Sequence, residues 1–188
     1  MARARDPEKR NAILEAAAEE IAETGLGAAT AKIAARAGIA TGTLFTYFAT
    51  KEELFNELYL ELKNEVYARI AAGFPHHASL ERRAWHIWST YLDWAIASPA
   101  KRKASVQLNV SDVITPETRL RTLPERRIVE ATLDELESRG PLRELPSGFA
   151  AALMSSMQEA IMEFISHKPR RHKQLSEQAF QLLWRAVR

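Results

Sequence analysis

The sequence predicts an all-α protein. Apolar residues recur every three or four positions along most of the 188 residues, which is the spacing of one face of an α-helix. No segment alternates apolar and polar residues convincingly, as a half-buried strand would. Glycine and proline separate the periodic segments, so we expect about nine helices joined by short connections.

The first four helices are predicted from their start and stop signals. Asp6-Pro7 opens the first helix, because aspartate caps free amide groups and proline is favoured at the first helical position. Gly25 and Gly38 end the first and second helices. Thr50 to Glu53 form a capping box that opens the fourth. The expected ranges are about 7–24, 30–37, 41–47 and 50–72.

Five more helices are expected in the rest of the chain. Gly73-Phe74-Pro75 and Gly140-Pro141 interrupt the periodic pattern, and Pro146-Ser147 opens the eighth helix. The expected ranges are about 80–98, 100–114, 124–139, 146–167 and 170–188. We expect residues 1–49 to form a helix-turn-helix domain and residues 50–188 a larger helical domain.

Composition narrows the class of protein. The absence of cysteine excludes disulfide frameworks and thiolate metal sites. A net charge of +2 means that any binding to nucleic acid must depend on local placement of charge. No apolar run approaches the length of a membrane span, and the basic N-terminus lacks the apolar stretch of a signal peptide. We expect a cytoplasmic protein with no membrane contact, no metal and no cofactor.

The segment from Thr30 to Phe48 has the pattern of a helix-turn-helix. Ala34 is small enough for two helices to cross closely, Gly38 suits a turn with positive φ, and Leu44 is an apolar anchor on the second helix. An ordinary helical hairpin would show the same three residues. The short second helix, however, is rich in threonine, which forms helices poorly but contacts bases and phosphates well. This composition favours DNA binding.

From Arg10 to Leu58 the chain resembles the TetR family of transcriptional regulators. The resemblance is carried by Ile13, Ala16-Ala17, Gly25, Ile33-Ala34, Ala37-Gly38-Ile39, Gly42-Thr43-Leu44, Tyr47-Phe48, Lys51-Glu52 and Leu54. It implies a three-helix DNA-binding domain with residues 41–47 in the major groove.

The same resemblance implies roles for individual residues. Thr41, Gly42, Thr43 and Thr46 would face the bases or line the groove, and Phe45 stands where the family commonly has tyrosine. The residues expected beside the DNA backbone are Thr30, Lys32, Tyr47 and Lys51, with Arg3 and Arg5 as a basic arm. The family's usual serine cap and lysine at the start of this helix are replaced here by Ala40 and Thr41.

The resemblance also implies that the last two helices pair with their copies in a homodimer. An apolar face on each helix agrees with this role, although both faces could equally fill the core of one subunit. The residues concerned are Phe149, Leu153, Met157, Ile161 and Phe164 on the eighth helix, and Leu175, Ala179, Leu182, Leu183 and Ala186 on the ninth.

The fifth helix carries more aromatic area than packing of one helix requires. Trp88 and Tyr91, with Gln107 and Met154 or Met157, could line a pocket for a small-molecule effector. Core packing would explain the same aromatic residues. If the pocket exists, its ligand is largely apolar or aromatic.

The sequence therefore predicts a DNA-binding regulator, a repressor released from a palindromic double-stranded operator by an effector. An all-helical enzyme is the second class considered, but the common phosphate-binding, zinc-protease and serine-hydrolase motifs are absent from the sequence. A DNA-binding protein without an effector is the third class, and the sequence separates it poorly from the first.

Overall fold

The computed structural model describes residues 6–121 and 125–188 and confirms the all-α fold. Those residues form ten α-helices and no strand. The helices are α1 (Pro7–Thr24), α2 (Thr30–Arg36), α3 (Thr41–Tyr47), α4 (Lys51–Ala71), α5 (Leu80–Ala97), α6 (Pro99–Asn109), α7 (Pro116–Leu120), α8 (Arg126–Glu137), α9 (Phe149–His167) and α10 (His172–Val187). In the described part of the chain, no helix has both the length and the apolar character that crossing a membrane requires.

The predicted caps of α1 and α4 are confirmed. The Asp6 carboxylate accepts a hydrogen bond from the amide of Glu8 at 3.0 Å. The Thr50 hydroxyl accepts from the amide of Glu53 at 3.1 Å, and the Glu53 carboxylate accepts from the amide of Ala49 at 2.6 Å. Each helix thus begins where a side chain satisfies amide groups that have no partner inside the helix.

The region after α6 differs from the prediction. A single helix to about Ile114 was expected, but α6 ends at Asn109 and the short α7 follows. Arg119 explains the early end, because its guanidinium donates to the carbonyls of Asn109 at 2.9 Å and Ser111 at 2.8 Å. The start of α7 is capped by the Thr115 hydroxyl, which accepts from the amide of Thr118.

Helix α9 begins later than the Pro146-Ser147 pair predicts, because its cap comes from another helix. The Glu137 carboxylate, at the end of α8, accepts from the amides of Gly148 at 3.1 Å and Ala150 at 2.8 Å. Gly148 adopts a φ of 88°, which glycine reaches without strain. The predicted start near Pro124 and the predicted basic arm of Arg3 and Arg5 lie outside the described residues.

The described chain divides into two compact units. Unit 1 comprises residues 6–63 and 98–121, and unit 2 comprises residues 64–97 and 125–188. In unit 1, α1 packs along α6 and also contacts α2. The predicted functional boundary after residue 49 stays a prediction, because this division follows packing rather than role.

Unit 2 is built from α5, α8, α9 and α10, which contact one another in pairs. Its interior includes two tryptophans of α5, Trp88 and Trp94, and Phe180 of α10. The Trp88 indole donates to the Ser176 hydroxyl at 3.1 Å. The Phe180 ring lies between Trp85, at 5.0 Å, and Trp184, at 6.1 Å between ring centroids.

Candidate nucleic-acid interface

The turn between α2 and α3 has the hydrogen bonds of a Schellman motif. Gly38 adopts a φ of 69°, and the amide of Ile39 donates to the carbonyl of Ala34 at 3.0 Å. The amide of Gly38 donates to the carbonyl of Ala35 at 3.1 Å. These two bonds satisfy carbonyls at the end of α2. The glycine predicted from the sequence therefore occupies the position where its conformational freedom is needed.

A small apolar core holds α2 and α3 together. Leu44, Ile33 and Ala34 are fully buried, and Phe48 is nearly so. The sequence predicted two of these residues, Ala34 as the small residue at the crossing and Leu44 as the anchor of the second helix. Because Leu44 faces inward, the opposite side of α3 faces solvent.

An arginine and three glutamates join α2 to α1. The Arg36 guanidinium contacts the carboxylates of Glu23 at 2.6 Å, Glu20 at 3.1 Å and Glu19 at 3.2 Å. Glu20 is buried, with 4% of its side chain exposed. Sequence reasoning missed this cluster, because one helix supplies the acids and another supplies the base. The cluster holds α2, the first helix of the helix-turn-helix, against α1.

The predicted base-facing residues lie along α3. Phe45 and Thr46 are exposed, as is Gly42, while Thr41 and Thr43 are half-buried. The Thr46 hydroxyl donates to the carbonyl of Thr43 at 2.6 Å, so part of its hydrogen-bonding capacity is used within the helix.

The two residues expected to contact phosphate also make contacts inside unit 1. The Lys51 ammonium donates to the carbonyl of Leu26 at 3.0 Å and lies 5.2 Å from the centre of the Phe55 ring. The Tyr47 hydroxyl accepts from the amide of Asp6 at 3.2 Å. An ammonium group has three protons, so the contact with Leu26 leaves Lys51 able to donate to a phosphate as well.

The other two predicted backbone contacts lie on α2. Thr30 is its first residue and is half-buried. The Lys32 side chain is 68% exposed, and its ammonium lies 3.9 Å from the Glu20 carboxylate. Helix α3 itself carries no charged residue. The cations available to phosphates near α3 therefore include Lys32 and Lys51.

The structure brings four of the five predicted effector residues into one unit. Trp88 and Met154 are buried in unit 2, and Tyr91 and Met157 are half-buried there. The Tyr91 hydroxyl donates to the Glu159 carboxylate. Gln107 lies in unit 1 instead, where its amide donates to the carbonyl of Ile21 at 3.1 Å.

Trp94 is a candidate effector contact that the sequence did not single out. Its side chain is almost completely buried, and its indole N–H has no acceptor among the described residues. Its ring lies 5.7 Å from the Tyr91 ring. Buried donors are nearly always paired, so this N–H is suited to an acceptor on a bound molecule. Periodicity along α5 could not show this, because it depends on neighbouring atoms.

Unit 2 also has two grooves of about 300 Å³ each between α5 and α10. Both are lined in part by Trp85 and Glu177. The predicted effector residues do not line either groove, although Trp88 lies close behind, 6.0 Å from the Phe180 ring.

Helices α9 and α10 each have two apolar faces. One face packs inside unit 2 and includes Met154 and Leu183. The other is open to solvent, with Phe164 62% and Leu182 63% exposed. We call this outer surface the apolar face, and its residues are Phe149, Leu153, Met157, Ile161, Phe164, Leu175, Leu182 and Ala186.

Comparison with known proteins agrees with the helix-turn-helix that the geometry shows. Residues 13–58 match the family of bacterial regulatory proteins named tetR. The HTH-type transcriptional regulator YhgD of Bacillus subtilis is 31% identical over 85 residues. That match covers 43% of this chain and spans less than half, 44%, of YhgD.

Solved structures match over nearly the whole chain. A candidate tetR family transcription regulator from Shewanella sp. PV-4 is 26% identical, with a TM-score of 0.78 over 95% of this chain and 97% of its own. FadR of Bacillus subtilis, solved with stearoyl-CoA, is 20% identical, with a TM-score of 0.69 over 92% of this chain and 96% of its own. Residues 13–58, which contain the helix-turn-helix, thus match the tetR family of bacterial regulatory proteins, and the chain has the fold of a solved tetR family regulator.

Proposed function

We propose that the protein is a homodimeric repressor that binds a palindromic DNA operator and leaves it when a small, largely apolar effector binds. The observation that carries this proposal is the helix-turn-helix, in which the Schellman turn and the Leu44 anchor present the outer side of α3. A helix presented in this way fits the major groove of DNA. Thr30, Lys32, Tyr47 and Lys51 are proposed to contact the DNA backbone.

The apolar face supports the homodimer. Large apolar side chains such as Phe164 and Leu182 are exposed on the last two helices, and exposed apolar surface of this size is typical of an interaction site. A second copy of the chain would cover it symmetrically. The α3 helices of the two subunits would then enter two half-sites on the same side of the duplex.

Two features of unit 2 and one structural neighbour support the effector. Trp88, Tyr91 and Trp94 place aromatic area on one helix, and no described residue accepts a hydrogen bond from the Trp94 N–H. FadR was solved with stearoyl-CoA in the same fold. The proposed effector is apolar and carries a hydrogen-bond acceptor for Trp94. It would release DNA by binding more tightly to a conformation with lower operator affinity.

Selection from random double-stranded DNA tests the DNA-binding part. We expect the purified protein to enrich a palindrome and to bind it with a binding constant whose logarithm falls linearly with the logarithm of salt concentration. Replacing Lys32 with alanine should reduce the magnitude of that slope by about 2, one phosphate for each subunit. Failure to bind any DNA at low salt would contradict the proposal.

Replacement of Trp94 tests the effector part. Long-chain acyl compounds and aromatic ketones that raise the melting temperature of the protein should bind Trp94→Phe about five-fold more weakly, because one hydrogen bond is lost and the ring stays. Trp184→Phe is the matched control, since Trp184 stacks on Phe180 and lies on another helix. If no compound raises the melting temperature, a regulator without an effector is favoured instead.

A further inference from the structure

Helix α3 lacks the side chains that usually read DNA sequence. Paired hydrogen bonds to base edges come from arginine or lysine with guanine, from asparagine or glutamine with adenine, and from carboxylates with cytosine. The sequence of α3, Thr-Gly-Thr-Leu-Phe-Thr-Tyr, contains none of these residue types. Its capacity to discriminate bases by hydrogen bonding is therefore limited to hydroxyl groups.

Two of those hydroxyls are already engaged. Thr46 donates to the carbonyl of Thr43 at 2.6 Å, and Tyr47 accepts from the amide of Asp6 at 3.2 Å. The hydroxyls of Thr41 and Thr43 make no hydrogen bond with residues 6–121 or 125–188. A single hydroxyl can donate or accept at any base, so these two threonines select bases weakly.

Phe45 is the large apolar group that α3 turns outward. Phe45 is 43% exposed, whereas the neighbouring Leu44 is fully buried. The ring therefore adds little to the core between α2 and α3. In the major groove, the chemistry that an apolar ring can recognise is the 5-methyl group of thymine, which the other bases lack.

Gly42 shares the outer side of α3 with Phe45, three residues away. Its φ is not positive, and a Cβ built on it would meet no atom within 4 Å. Alanine would therefore fit the free protein and would favour the helix more than glycine does. The fold gives no reason for glycine here, but close approach of the helix backbone to a ligand would.

We propose that α3 recognises thymine through apolar contact. The Phe45 ring packs against one or more thymine 5-methyl groups in each half-site, and Gly42 allows the backbone of α3 to come close enough for that contact. This recognition requires that the protein bind DNA as proposed above. The sequence preference of α3 then comes from shape and from thymine methyl groups rather than from paired hydrogen bonds.

Replacing thymine with deoxyuridine in the selected operator tests the role of Phe45, because only the methyl group is removed. We expect the Kd to rise about four-fold for each contacted methyl group, and about 15-fold when both half-sites are changed. Deoxyuridine outside the half-sites is the control and should leave the Kd unchanged. Phe45→Ser should bind thymine and deoxyuridine operators equally.

The outcomes separate this inference from the proposed function. If the wild-type protein binds thymine and deoxyuridine operators equally tightly, the proposed recognition is wrong although DNA binding stands. It is also wrong if Phe45→Ser keeps the full deoxyuridine effect. If no DNA is bound, the proposed function itself fails.

Gly42→Ala tests the close approach. We expect its melting temperature, measured by circular dichroism, to be the same as that of the wild type or about 1–4 °C higher. Its operator Kd should nevertheless rise about ten-fold or more, since the added methyl group keeps α3 away from the bases. Gly27→Ala is the matched control, because a Cβ there also meets no atom within 4 Å and Gly27 lies outside α3. Operator binding by Gly42→Ala at wild-type affinity would overturn this part.

Discussion

Leu182→Glu is expected to turn the proposed dimer into a monomer and to weaken operator binding about 100-fold or more. Leu182 is 63% exposed on α10, within the apolar face. A second copy would bury it, and an unpaired carboxylate buried in an apolar interface is costly. A monomer loses the gain in affinity that comes from linking two half-site contacts.

Analytical ultracentrifugation and titration of the operator measure both effects. Gln181→Glu is the matched control, because it adds the same charge one residue away, at an exposed position that lines a groove with α5. We expect the control to stay dimeric and to bind normally. If Leu182→Glu also stays dimeric, the apolar face is not the interface.

Arg36→Met should give the largest loss of stability in the helix-turn-helix. The change leaves the buried Glu20 without its guanidinium partner. Its remaining contacts include the Thr24 hydroxyl at 3.4 Å and the exposed Lys32 ammonium at 3.9 Å. Removing one member of a buried ion pair destabilises mainly because the other charge stays buried. We expect faster amide exchange in α1 and α2, a melting temperature several degrees lower, and weaker operator binding.

Adding Glu20→Gln to Arg36→Met provides the control. The neutral side chain removes the uncompensated charge, so the double variant should be more stable than Arg36→Met alone. If the double variant is no better, the loss comes from packing of the arginine stem rather than from charge.

The pH dependence of the Arg36 variant follows from the same cluster. The hydrogen bonds that Arg36 donates to Glu23 and Glu19, followed by the one to Glu20, hold the pKa of Arg36 above its ordinary value. A raised pKa means that the stabilisation is present in full below the pKa of the unfolded arginine, far above neutral pH. The difference in melting temperature between the wild type and the Arg36→Met, Glu20→Gln double variant, which has no uncompensated Glu20 charge, should therefore stay constant from about pH 6 to about pH 9.

The sequence was a good guide where the signals are local. Gly38, Leu44 and the Thr50 capping box each act within a few residues, and the structure confirms the helix-turn-helix around them. The resemblance from Arg10 to Leu58 agrees with the family match over residues 13–58. Signals from neighbouring residues were thus sufficient to predict the elements that present α3.

The features that the sequence missed depend on groups distant along the chain. Arg119 ends α6 ten residues away, and Glu137 caps α9 from the end of the preceding helix. Gln107, expected beside Trp88, donates to the carbonyl of Ile21 instead. Helical periodicity shows which face of a helix is apolar, but it does not show which distant carbonyl or carboxylate that helix will meet.

The positions of the tryptophans have an experimental consequence. All four, Trp85, Trp88, Trp94 and Trp184, belong to unit 2. Indole emission therefore originates in the unit with the candidate effector residues, while the unit with the helix-turn-helix contributes none. An unfolding curve recorded by indole emission follows unit 2, and one recorded by circular dichroism follows the helices of both units. Coincident curves would show that the two units unfold as one cooperative system.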